Sequence, residues 1–243
     1  MTEDVMSATV LRSPEVTRST AREKVSPLAE GRRGPAGWSP ENFAREQIRG
    51  LVRRVFFSNA ERPVRQVVFS ALEPETDVRS LCQRVGEALA SETAGSIAVV
   101  EGYSLPVQGV AMQREMRPDR ESWEQSMPLR QIARRVRGSL WLLPDEARSG
   151  DPVTATSLHS FLSEVRRQFE YSIVQGPCAA ESTQAAAMAQ FADGIILVLS
   201  AQRTHRAAAR KIMEALEAAQ LRIVGTVLVD RVFPVPEVIY RRL

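Results

Sequence analysis

The sequence predicts an α/β protein with a doubly wound, mostly parallel sheet and helices on both faces. Three observations predict it. Strand-like and helix-like segments alternate along most of the chain. Several strand-like segments, such as residues 194–199 (GIILVL), are unbroken apolar runs, as expected for strands covered on both faces. The connections between these segments are short, as crossovers in such a sheet require.

Residues 1–38 are rich in Ser, Thr, Arg, Glu, Pro and Gly, and the stretch Gly31-Arg32-Arg33-Gly34-Pro35-Ala36-Gly37 has no periodicity. Such a segment buries too little apolar surface to offset its ordering entropy, so it reads as a disordered tail. The folded domain is expected over residues 39–243. Ser39 is placed to cap a helix whose first turn holds Pro40 and Glu41. Phe43, Ile48, Leu51, Val52 and Val55 follow at helical spacing.

The β-branched run at 64–71 (VRQVVFSA) reads as the first strand, and 77–90 as a helix. Residues 96–101 (SIAVVE) form the second strand. Residues 105–135 are poorly patterned, with prolines at 106, 118 and 128; loops are expected there, with a short helix near 129–136. Residues 139–143 (SLWLL) read as a strand, 156–169 as a helix, 171–174 as a strand and 182–191 as an alanine-rich helix. The strand at 194–199, a helix at 203–220 and a last strand at 221–229 (LRIVGTVLV) complete the order.

Composition narrows the function. The net charge of +3 and pI of about 9.2 are too slight to mark a nucleic-acid binder. Nearly all the cations are arginines; Lys24 and Lys211 are the only lysines, so few residues can perform lysine-dependent chemistry. Cys82 and Cys178 are the only cysteines and lack metal-type spacing, which suits a reducing, cytoplasmic setting. His159 and His205 stand apart from each other and from any cysteine pattern. No apolar run approaches the ~18 residues of a membrane span, and the N-terminus, with Glu3 and Asp4, does not read as a signal peptide.

In an open parallel sheet, ligands bind beyond the carboxyl ends of the strands. The loop after the first strand is Leu72-Glu73-Pro74-Glu75-Thr76-Asp77-Val78. With the preceding Ser70-Ala71, it resembles the phosphate-loop region of the bacterial tyrosine kinases and related P-loop ATPases of capsule and exopolysaccharide synthesis, a group akin to the chromosome-partitioning and septum-site ATPases. The resemblance spans residues 40–243. Glu46, Arg49 and Arg53 are similar to a helix pattern the family uses in self-assembly, with Val52 at the third position of that pattern. The segment from Phe169 to Pro177, Asp193-Gly-Ile-Ile-Leu-Val198 with Thr204, and the run from Gly225 to Pro236 follow the family's order.

The resemblance implies a P-loop NTPase fold, ATP with magnesium, and phosphoryl transfer. The residues that would perform it are altered. A phosphate-cradling loop uses glycines and a lysine. This loop has no glycine, and the lysine position holds Asp77, or Thr76 or Val78 with a shift of one. At ~4 Å and an effective dielectric of ~20, one charge contact is about 4 kcal/mol, so a carboxylate there reverses a large term. The expected Asp-x-Asp after the second strand is Glu101-Gly102-Tyr103. The magnesium-supporting aspartate after the fourth strand is Gln175, a weak ligand, and the base-site asparagine is Val229. The expectation is therefore a degenerate, pseudokinase-like member with no cofactor. Glu73, Pro74, Glu75, Thr76, Asp77 and Val78 form its altered loop, and no metal is expected. By analogy its partner is a membrane-anchored polysaccharide chain-length (co-polymerase) protein or an active kinase paralogue, with self-association through Glu46, Arg49 and Arg53. That places it in the cytoplasm, at the inner face of the plasma membrane through the partner. Two alternatives stay open. One is an active ATPase or tyrosine kinase with Glu101 as base and an arginine in place of the lysine. The other is a partitioning-type protein that binds DNA or membrane. Tyr103 and Tyr240 are candidate phosphorylation targets, although no tyrosine-rich tail follows Tyr240-Arg-Arg-Leu243.

Overall fold

The β-branched and aliphatic strands send alternate side chains to opposite faces, and each face finds its own helices. In the computed structural model, which describes residues 10–11, 40–58, 61–102, 129–144 and 155–230, eight strands form one sheet. They are β1 (Val10–Leu11), β2 (Gln66–Ala71), β3 (Ile97–Val100), β4 (Arg134–Arg137), β5 (Leu140–Leu143), β6 (Tyr171–Gln175), β7 (Ile195–Ser200) and β8 (Ile223–Val229). Their order is β1-β8-β7-β2-β6-β3-β5-β4. Every pair is parallel except β4 with β5. This is the P-loop ATPase-like, mostly parallel architecture that the sequence predicts.

On one face, Val67, Phe69, Ala71, Ile97, Val99, Ile173, Ile196 and Val198 pack against helices α1 (Pro40–Val52) and α2 (Val78–Glu92) and the widened π-helical turn Arg53–Phe57. On the other, Val68, Ala98, Val100, Val174, Ile195 and Leu197 pack against α3 (Leu129–Ile132), α4 (Ala155–Gln168), α5 (Gln184–Phe191) and α6 (Arg206–Ala218). Gly86 lets α2 lie close on the sheet: a Cβ there would stand 2.6 Å from Val99 Cγ2. At the amino ends of the strands, Asp193 accepts from the amides of Arg65 and Gln66 at 2.7 and 2.8 Å and pairs with Arg166, locking β2 to the turn before β7.

Most elements fall where the sequence predicts them, within a few residues. The segment at 129–136 departs: one turn of helix ends at Ile132, and β4 follows. Gly138, at φ +53°, makes a tight turn, and the chain folds back as a hairpin against β5. All four residues of β4 are exposed, so this edge strand carries no apolar signature. Val10 and Leu11, within the segment read as tail, pair in parallel with Leu228 and Val229 of β8. The rest of that segment lies outside the described residues, as do Lys24, Tyr103 and Tyr240 and most of the poorly patterned stretch at 105–135. Among the described residues no helix is long and apolar enough to cross a membrane.

Candidate functional site

The carboxyl ends of β2, β3 and β6 converge because β6 lies between β2 and β3. There the chain leaves a pocket of about 180 Å³ lined by Glu73, Pro74, Thr76, Val78, Gly102 and Gln175, together with Ala71, Gly176, Pro177 and Cys178. That is below the roughly 300–1,000 Å³ of typical small-molecule sites. The sequence-predicted loop and Gln175 therefore do meet, at the switch point where such folds bind ligands.

The loop is folded onto itself. Thr76 N–H donates to Glu73 O at 3.1 Å, and Val78 N–H donates to Thr76 O at 2.8 Å. Asp77, one of the three residues considered for the lysine position, caps α2: its Oδ1 accepts from Ser80 N–H at 3.0 Å. A carboxylate thus sits where a helix N-terminus would otherwise receive a phosphate. Glu75 pairs with Arg203, from the loop after β7. Thr76 is 9% exposed, and its hydroxyl has no hydrogen-bond partner among the described residues.

Glu101 follows β3, and its side chain is only 10% exposed. Its carboxylate accepts from Arg79 Nη2 at 2.6 Å and from Gln83 Nε2, both on α2. Gln175 turns back to the same strand end: its Oε1 accepts from Gly102 N–H at 3.0 Å, where Gly102 adopts φ +67°. A side chain in the proposed metal position thus serves as a backbone tie between β6 and β3.

Two further ties close the pocket wall. Ser70 Oγ donates to Pro177 O, and Cys178 Sγ donates to Leu72 O at 3.0 Å. Burial pushes the Cys178 thiol above its ordinary pKa against opposing backbone hydrogen bonds at Ala180 and Glu181, so it stays protonated near neutrality. Val229 is buried at the end of β8, beside Ser200 in register.

The residues expected in self-assembly lie away from this pocket. Glu46 and Arg49 pair within α1 at 2.8 Å. Arg53 grips Glu92, at the end of α2, through contacts of 3.1 and 3.2 Å. Val52 is fully buried. Lys211 lies on α6.

Sequence reasoning missed Arg79, Gln83 and Arg203. Arg79 and Gln83 stand four apart on α2, a spacing that puts both on one helix face and was readable. The Arg203–Glu75 pair joins residues 128 apart and had no local signal. Among the described residues, no group of His, Cys, Asp and Glu side chains is arranged to hold a metal ion.

At the place where the fold implies ATP with magnesium, the loop amides of Thr76 and Val78 and the Ser80 amide of α2 are bonded within the chain, the Asp77 carboxylate caps α2, and the pocket holds about 180 Å³. The molecule is a P-loop ATPase-like domain with a self-closed loop. No family model matches the chain, and no curated protein matches it in sequence. Solved structures share its fold. The kinase domain of the Escherichia coli tyrosine kinase ETK superposes with a TM-score of 0.59 at 15% identity, over 80% of this chain and 79% of that one. The VpsO kinase domain gives 0.58 at 13% identity, over 79% of this chain and 98% of its own. The BceF tyrosine kinase domain gives 0.55 at 15% identity, over 77% of each.

Proposed function

We propose that the chain is a non-catalytic relative of the polysaccharide-synthesis tyrosine kinases, a binding or regulatory subunit in exopolysaccharide or capsule assembly and export. The carrying observation is Asp77. Its carboxylate occupies the N-terminus of α2 as a built-in anion, and an incoming triphosphate meets negative charge there. The two arginines that adjoin the loop do not offset this, because Glu101 holds Arg79 and Glu75 holds Arg203. Glu101, the base of the active-kinase alternative, is tied to Arg79 and Gln83.

On this reading the chain acts by docking. Its partner is a membrane-anchored chain-length protein or an active kinase paralogue, and it sits at the inner face of the plasma membrane through that partner. The likeness to the ETK, VpsO and BceF kinase domains supports the fold on which this rests.

Titration with a fluorescent ATP analogue in excess Mg²⁺ tests the reading. No saturable binding is expected up to millimolar nucleotide. Saturable micromolar binding, competed by unlabelled ATP, refutes it and restores the active-kinase alternative.

A further inference from the structure

The two edges of the sheet are finished differently. At one, β1 is added in parallel to β8 by the chain itself. At the other, β4 is the outermost strand and has no backbone partner beyond β5 among the described residues. Residues 129–144 (LRQIARRVRGSLWLLP), which build this second edge, hold Arg130, Arg134, Arg135 and Arg137 and no acidic residue. Those four charges exceed the net +3 of the whole chain.

The edge is preorganised as well as charged. Arg130 lies over Trp141 and Phe169, with its guanidinium carbon 5.8 and 5.3 Å from the ring centroids, and donates to Gln168 O at 2.8 Å. Arg135 lies over Trp141 at 5.6 Å and donates to Gly138 O at 2.7 Å. Arg134 and Arg137 make no ion pair among the described residues. Between them Val136 is 46% exposed, at the point where the β4–β5 register breaks.

We propose that β4 is a docking edge for an extended acidic segment of a partner protein, which adds to the sheet as a further strand. Open backbone groups on an edge strand recruit a peptide through main-chain hydrogen bonds, and side-chain charge then selects which one. Charge complementarity specifies a segment alternating acidic with apolar residues: the acids meet the arginines, and an apolar residue meets Val136. The same arginines oppose a second copy of this chain, because edge-to-edge pairing would set arginine against arginine. A flat anionic surface would use the charge but leave the strand's backbone groups unpaired. The proposal stands whether or not the pocket binds nucleotide.

The test uses the full chain and a fluorescein-labelled nine-residue peptide, Glu-Val-Glu-Val-Thr-Val-Glu-Val-Glu, followed by anisotropy at low salt. A second peptide of the same sequence carries N-methylated backbone amides, which keep the charge and remove the donors. Saturable binding of the first peptide is expected, with at least a tenfold loss on N-methylation. The double variant R134E/R137E is expected to weaken binding by about tenfold or more, since each reversal removes an attraction and adds a repulsion. The double variant R206E/R210E, on exposed positions of α6, should leave it unchanged. All these sites are exposed, so the variants are expected to fold, and circular dichroism checks it. The proposal is overturned by absent binding, by equal affinity for the methylated peptide, or by equal loss in both double variants. Phosphatidylglycerol vesicles or duplex DNA that bind in an R134E/R137E-sensitive way while the peptide does not would assign the edge to those partners instead.

Discussion

Replacing Arg79 by Met separates a structural Glu101 from a catalytic one. Glu101 is 90% buried at its side chain and has two partners, Arg79 and Gln83. Removing one partner of a fully buried ion pair costs about 3–5 kcal/mol, because a charge is left uncompensated. Arg79 is 62% exposed, so water already screens the pair and can reach part of the vacated space. About 1.5 kcal/mol is therefore expected for Arg79→Met. For a domain of this size that lowers Tm by about 3–6 °C. Glu101→Gln should cost less, about 1 kcal/mol, since a neutral amide still accepts from Arg79 and Gln83 can turn its own amide to match. The double variant should be more stable than the sum of the two losses by about 1 kcal/mol, the signature of residues in contact. Urea unfolding of all four proteins, with a common m-value, measures this. If Arg79→Met matches the parent within about 0.3 kcal/mol, or the two losses add, Glu101 is not clamped. It would then be a free carboxylate beside the pocket, and the case against its acting as a base would fail.

Three other outcomes follow from the same contacts. Asp77→Ala should lose about 1 kcal/mol in urea unfolding, the usual worth of an N-cap, while Asp77→Lys should still show no saturable ATP binding, because the amides of Thr76 and Val78 stay bonded within the loop. Gly86→Ala should destabilise by about 1–2 kcal/mol: overpacking against Val99 and Leu140, 2.6 and 3.1 Å from the new carbon, exceeds the gain of roughly 0.5–1 kcal/mol from replacing a helical glycine. A melting temperature at or above the parent's would show that α2 can lift from the sheet. Burial, with the charges of Asp77 and Glu101, raises the Cys82 thiol pKa far above its ordinary value. The unfolded thiol therefore ionises first, so stability is full below about pH 8.5 and falls as pH rises above it; the urea midpoint should decline from about pH 8.5 to 10, and less steeply in Cys82→Ala.

The strands buried on both faces were legible because nothing but a two-sided core explains runs such as residues 194–199. The edge strand β4 was not, since its residues Arg-Arg-Val-Arg meet solvent and its pairing depends on β5 and on the turn at Gly138. The position of the loop after β2, at the end of the sheet that carries the pocket, was legible, and its lack of glycine and lysine is plain in the sequence. What Asp77 does was half legible. An acidic residue three before Ser80, at the head of an apolar-periodic run, is itself a cap signal. The engagement of Glu101 by Arg79 and of Glu75 by Arg203 depends on how α2 and the β7–α6 loop face β3 and the altered loop. Sequence order does not carry that geometry.

The loop after β2 draws its stability from contacts within the chain. In a nucleotide-binding domain the amides at the head of this helix await a ligand, and the ligand stabilises the fold only in proportion to its occupancy, by about 2.7 kcal/mol at a hundredfold excess over Kd. Here Asp77 supplies the anion, Glu73 O and Thr76 O receive loop amides, and Gln175 ties β6 to β3 through Gly102. These contacts belong to the chain and are present at any nucleotide concentration. A switch needs an element with two arrangements that a ligand can bias. The donors of Thr76 and Val78 are bonded within the loop, so on the function proposed above regulation comes through surfaces such as the β4 edge.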